Sequence, residues 1–226
     1  MHNVKSVVKK LKLLGNSKGK EAIARYGITP EEAFCVSIPN LRELAKEIGK
    51  DHKLALELWD LGIRETRILA SMIDEVSLVT VKQMEEWTKG FTYWEICDQC
   101  CMNLFEKHET SYVLAEKWSK KKEEGIKRAG FVLMARLAVS DKKADDKRFE
   151  KFLPMIKREA VDERHLVKKA VNWALRQIGK RSMALHKTAV LLAQEIAEID
   201  SKSARWVAND ALRELENDKT IKRIKR

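Results

Sequence analysis

The stretch FTYWEICDQCC, Phe91 to Cys101, places Trp94 and Asp98 four residues apart. On an α-helix, residues i and i+4 lie on one face about one turn apart, so an indole and a carboxylate at this spacing can serve a common site. The indole face attracts positive charge through its quadrupole, each contact being worth roughly 0.5–2 kcal/mol. A carboxylate repels phosphate but stabilises a cation. Together they suit a cationic ligand or a cationic transition state. The pair also has a structural explanation, in which Asp98 meets a neighbouring Lys or Arg and Trp94 packs in the core. Cationic and aromatic residues recur further on: Arg128 in IKRAGF, then Lys168, Lys169, Trp173 and Arg176 in KKAVNWALR. Guanidinium groups hold phosphate well, because their fork of donors matches its oxygens.

These residues need helices to bring them into register, and the composition supplies helices. The 226 residues include only 9 glycines and 3 prolines. Leu, Ala, Lys, Glu and Ile recur at three- and four-residue steps, the helical period, so an all-α chain is expected. Ser37 and Pro39 supply a cap and an early-turn proline for a helix that stops at Gly49, and Asp51 starts another that stops at Gly62. These two are expected to form a helical pair. RFEKFLPMIKRE reads as one helix, and the last three major helices cover HLVKKAVNWALRQIGK, ALHKTAVLLAQEIAEI and SARWVANDALRELEND. KRAGFVLMARLA, from Lys127, echoes in KKAVNWALRQIG, from Lys168, at an offset of about 41 residues, and ALR at Ala174 returns at Ala211 after about 37. Such offsets belong to stacked helical hairpins of the HEAT kind. The expected architecture is a curved α-solenoid, one domain over residues 1–226 with a short basic tail at 219–226.

Charge narrows the partners. Lys and Arg number 45 against 34 Asp and Glu, a formal charge of +11. This favours anionic partners, nucleic acid first, although charged helix surfaces are commonly just solvated and solenoids often bind protein. No segment approaches the roughly 20 apolar residues of a membrane span, and VKSVVKKLKLL lacks the apolar core and cleavage site of a secretory signal. A cytoplasmic protein is expected. Cys35 stands alone, while Cys97, Cys100 and Cys101 share one helix and read as small buried hydrophobes, with no second CxxC and no histidine pair to complete a metal site. His2, His52, His108, His165 and His186 are dispersed and expected at the surface. Trp59, Trp87, Trp118 and Trp206 fall on apolar helical stripes and read as packing. No glycine-rich phosphate loop suggests ATP use.

The residues WEICD, IKRAGF and KKAVNWALR, in this order and spacing, resemble the alkylpurine DNA glycosylases of the AlkD type, which are built from HEAT-like repeats. The similarity runs from about Ser37 to beyond Arg205, with SIPNLRELAKEI and LWDLGIRETRILASMI resembling the family's N-terminal helices. The resemblance implies hydrolysis of the N-glycosidic bond of cationic N3- or N7-alkylated purines in duplex DNA, without metal or organic cofactor, by a monomer. It implies Asp98 as the catalytic carboxylate, Trp94 and Trp173 as aromatic walls against the damaged nucleotide, and Arg128 and Arg176, with Lys168 and Lys169, as DNA contacts. Family members often carry a tryptophan three positions before the arginine matched by Arg128; this sequence has Gly125 there. A relative that binds damaged or branched DNA without excision, and a protein-binding scaffold, are the alternatives.

Overall fold

Helical periodicity becomes helix along the whole computed structural model, which describes residues 2–16, 19–28 and 32–224 and contains no strand among them. Lys225 and Arg226, the end of the expected basic tail, lie outside the described residues. The chain divides into two compact units, Met1–His108 and Glu109–Arg226.

The first unit contains α1 (Val4–Leu14), α2 (Gly19–Ala24), α3 (Ile38–Ile48), α4 (His52–Asp60), α5 (Arg64–Ile73), α6 (Val81–Thr88) and α7 (Trp94–Asn103), closed by a 3-10 turn at Phe105–Lys107. The expected caps are present. Ser37 Oγ accepts from the Asn40 amide at 3.3 Å, and Asp51 Oδ1 accepts from the Leu54 amide at 2.9 Å. Each satisfies a donor that a helix start leaves unpaired. Gly49 ends α3 at φ 79°, a left-handed conformation that glycine adopts without strain. The expected pairing of α3 with α4 is corrected: both pack principally on α5, which also carries α7. Helix α5 can do this because it is apolar on more than one face, with Ile68, Leu69, Ala70 and Ile73 all fully buried. Trp59 and Trp87 stack with ring centroids 4.1 Å apart, and the Arg67 guanidinium lies 5.2 Å from the Trp59 ring centroid.

The second unit contains α8 (Ser111–Trp118), α9 (Glu124–Ser140), α10 (Asp146–Glu150), α11 (Leu153–Glu159), α12 (His165–Gly179), α13 (Met183–Ala197), α14 (Lys202–Leu215) and α15 (Asp218–Ile224). Helices α9, α12 and α14 pack in series, with α8 against α9, α11 against α12 and α13 against α14. The offset of about 41 residues is thus the step from α9 to α12. Between successive repeats Asn172 Nδ2, buried, donates to the Val207 carbonyl at 3.0 Å. RFEKFLPMIKRE forms two helices rather than one, broken at Lys151 and Phe152. Pro154 is the reason: it has no amide to continue a preceding helix and is tolerated in the first turn of α11. The start of the basic tail is helical, in α15.

Helices α8 and α9 meet tightly enough to exclude a methyl group. A Cβ built on Gly130 of α9 would lie 2.4 Å from the Ser119 amide nitrogen and 2.9 Å from the Ala115 carbonyl oxygen. Gly130→Ala is expected to lower stability by about 1–3 kcal/mol through overpacking, read as an earlier urea midpoint. An unchanged midpoint would contradict this close approach.

A second constraint is electrostatic. Asp162, in the turn before α12, accepts from Arg164 Nε at 3.0 Å, from Arg164 Nη2 at 2.6 Å and from Lys127 Nζ at 3.2 Å. Burial pushes its carboxyl pKa up, but these donors outweigh burial and hold it at about 2, below the ordinary 3.8. A depressed folded-state pKa contributes stability that is complete above the unfolded value and disappears as pH falls through the folded one. The stability difference between the native protein and Asp162→Asn is therefore expected to be full at neutral pH and to shrink as pH falls from 3.8 toward about 2. Thermal melts across that range measure it.

Candidate functional site

Trp94 opens α7, and Glu95 in the same turn is the helix's anchor. Glu95 is buried, and its two carboxylate oxygens accept from Arg64 Nε and Nη2, both at 2.7 Å. Arg64 Nη1 donates to Glu65 Oε1 at 2.6 Å and to the Val36 carbonyl at 3.2 Å. Glu65 in turn accepts from the amides of Phe34 at 2.9 Å and Val36 at 3.3 Å. Burial alone disfavours a charged Arg64, yet the two carboxylates outweigh it and raise the guanidinium above its ordinary pKa. One buried cation thus ties the first turns of α5 and α7 to the extended segment before α3.

With Glu95, Ile96, Cys97, Gln99, Cys100 and Cys101 buried, α7 leaves Trp94, Asp98 and Met102 partly accessible at four-residue steps. The predicted indole and carboxylate therefore do share one half-open face. Trp94 Nε1 donates to the Tyr26 carbonyl at 2.8 Å, which fixes the indole edge and leaves its ring as the feature available to a ligand. Tyr26 is 72% exposed beside it, following α2. Sequence reasoning assigned this segment no role, although Gly27, at φ 72°, is the kind of stop signal that follows a short helix. Burial pushes the Tyr93 phenol up to about 12, so it remains neutral at physiological pH. Cys100 and Cys101 are fully buried and their thiols are pushed up by burial, which fits packing rather than nucleophilic chemistry.

The other predicted residues lie in the second unit, at two levels along α12. Near its start, Arg128 is buried and its Nη1 donates to the Leu166 carbonyl at 2.7 Å, joining α9 to the first turn of α12. Lys169 is exposed, and Lys168 Nζ sits 5.1 Å from the Trp206 ring centroid. Burial lowers the pKa of His165, and the charges of Lys169, Lys168 and Arg128 lower it further, so this end of the repeat is electropositive. Further along, Trp173 is half-buried; with the Gln177 amide turned so that its oxygen faces the indole, Trp173 Nε1 donates to it at 3.1 Å. Arg176 pairs with Glu214 through Nη1 and lies 3.9 Å from Asp210 through Nε. Burial raises the Glu214 pKa, but Lys180 and Arg176 outweigh it and hold the carboxyl below its usual range. The two arginines expected to meet phosphate thus already hold partners within the protein.

Two expectations are corrected. Trp206 is 38% exposed instead of packed, because it lies beside the buried stripe of α14, which runs through Ala204, Val207, Ala208, Ala211 and Leu215. His186 is buried, with Nδ1 3.1 Å from the Gly179 carbonyl, and His52 Nδ1 lies 2.6 Å from the buried Asp74, so neither is a plain surface histidine. Among the described residues no helix is long and apolar enough to cross a membrane.

No curated protein matches the chain. A solved structure described as "a new family of proteins related to the HEAT-like repeat DNA glycosylases with affinity for branched DNA structures" superposes with a TM-score of 0.79 at 20% identity, covering 94% of this chain and 95% of that one. At that identity the likeness establishes the HEAT-like fold. A family model described as DNA alkylation repair enzyme matches residues 7–215, nearly the whole chain, and the protein therefore belongs to the DNA alkylation repair enzyme family.

Proposed function

We propose that the protein is a monofunctional DNA glycosylase that releases cationic N3- or N7-alkylated purines from duplex DNA, acting as a monomer and as one domain over residues 1–226. The observation that carries this reading is the half-open face of α7, where Trp94 and Asp98 stay partly accessible one turn apart on a largely buried helix. An alkylated purine already bears positive charge, so the base departs as a neutral molecule without a general acid. The electron pair of the C1′–N bond goes to the base, and the sugar is left as an oxocarbenium-like cation. The Asp98 carboxylate stabilises that cation and orients the water whose oxygen bonds to C1′, the spare proton passing to solvent. The Trp94 face adds attraction for the same positive charge. Trp173 supplies the second aromatic surface, and Lys168 and Lys169, with Arg128 and Arg176, hold the DNA backbone. No lysine lies beside Trp94 and Asp98 in sequence to act as a Schiff-base nucleophile.

A second reading is favoured by a specific observation. Arg128 and Arg176 are engaged by the Leu166 carbonyl and by Glu214, so phosphate would have to compete for them. A binder of damaged or branched DNA that performs no excision tolerates this more easily than an enzyme that must grip its substrate tightly. The structurally similar protein is described as having affinity for branched DNA.

Release of 7-methylguanine and 3-methyladenine from methylated duplex DNA separates the readings. Asp98→Asn is expected to cut release at least about 100-fold, the scale of a lost electrostatic contribution at the transition state, while DNA affinity stays within about twofold. Salt-sensitive binding by the native protein with no base released would establish the second reading instead.

A further inference from the structure

Trp206 stands out among the tryptophans of the second unit. Trp118 is buried and Trp173 half-buried, but Trp206 is 38% exposed in the second turn of α14, with the Lys168 ammonium over its ring. Its surroundings are cationic. His165, Lys168 and Lys169 lie in the first turn of α12, and Lys202 and Arg205 in that of α14. The two helix starts are fixed together, since Ser203 Oγ donates to the Asp162 carbonyl at 2.7 Å. Of the acidic groups at this end, Asp162 is engaged by Arg164 and Lys127, Asp200 meets Arg205 at 3.2 Å, Glu124 acts on His165 and Glu163 is exposed, while Lys169 and Lys202 are exposed cations beside the Lys168–Trp206 contact.

We propose that Trp206 is a stacking platform for an unpaired DNA base whose flanking phosphates are held by Lys168, Lys169 and Lys202. This rests on the DNA-binding reading above and adds a site on α14, with a preference for gapped or flapped substrates. The choice of an unpaired base follows from geometry. Bases within a duplex have both faces covered by their neighbours and offer only edges, whereas an indole ring recognises a face. An acidic peptide would satisfy the cations but leave the indole unused. Lys168 links the two halves of the site. It rests over the indole without DNA and moves to phosphate when a base takes its place, an exchange favoured because base–indole stacking outweighs an exposed ammonium–indole contact. Stacking is tolerant of base identity, so the preference is for strand state and not for sequence.

Fluorescence anisotropy on a labelled duplex of about 20 base pairs, and on the same duplex with a central gap of about four nucleotides, tests this against native protein, Trp206→Ala and Trp206→Phe. Trp206→Ala is expected to weaken binding to the gapped probe about tenfold and to the intact duplex less than about twofold, with Trp206→Phe retaining most of the affinity. At 38% exposure the indole still has covered area to lose, so Trp206→Ala is expected to melt somewhat below the native protein but to be folded at the assay temperature, and Trp206→Phe to melt close to the native protein. Unchanged affinity for the gapped probe, or an equal loss on both probes, overturns the proposal while leaving the DNA reading intact. Binding of neither probe by the native protein overturns both. Loss of polyglutamate binding in Trp206→Ala, with gapped DNA unaffected, overturns it in favour of an acidic protein partner.

Discussion

A guanidinium buried at the start of α5 sets the terms for the first unit. Removing a cation from water is costly and is tolerated only when opposite charge and good hydrogen-bond geometry replace the lost hydration. Arg64 meets that condition with a bidentate contact to Glu95, a second carboxylate in Glu65 and the Val36 carbonyl. Glu65 is satisfied in turn by two backbone amides. The cluster cannot relax in parts. Losing Arg64 takes the cation away from two buried carboxylates at once, so the segment before α3, the hub helix α5 and the first turn of α7 are held as a set. Trp94 and Asp98 flank Glu95 on α7, and their presentation on one accessible face follows from that anchor.

The second unit uses charge differently. Its repeat step puts cations at the start of each inner helix, and there the basic residues divide into two groups. Arg128, Lys127 and Arg164, together with Arg176 in the last turn of α12, are turned inward onto carbonyls and carboxylates of the protein. Lys169, Lys202 and Arg205 remain exposed, and Lys168 rests on Trp206. The first group spends charge on cohesion between repeats and the second keeps it for a polyanion. Internal ion pairs remove equal numbers of both signs, so the formal charge of +11 persists on the cations that carboxylates do not match.

Much of this was legible in the residues. Ser37, Asp51 and Gly49 marked helix ends because capping is local chemistry, dependent on a few neighbouring atoms. The offset between Lys127 and Lys168 announced the step from α9 to α12 because stacking identical units repeats the pattern that buries them. That Trp94 and Asp98 share one helix face followed from spacing alone. Contacts distant in sequence were not legible. Arg64 looks like any charged residue opening a helix until Glu95, on another helix, reaches it. The Trp94 contact with Tyr26 joins segments that share no local signal. Trp206 adjoins the buried stripe of Ala204, Val207, Ala208 and Ala211, and periodicity alone does not show how wide the covered face is. Pro154 did signal the break between α10 and α11, but the helical period running across it masked the signal.

The claim that α7 is held by the buried Arg64 cluster is tested most directly by amide hydrogen exchange in Glu95→Gln. The charged contact is lost there while shape and part of the hydrogen bonding remain. The account predicts faster exchange at the amides of Asp98 to Cys101 together with those of Phe34 and Val36, as the anchored segments loosen jointly while the second unit keeps its protection. Native-like exchange at both segments would contradict it, showing that apolar packing alone places Trp94 and Asp98.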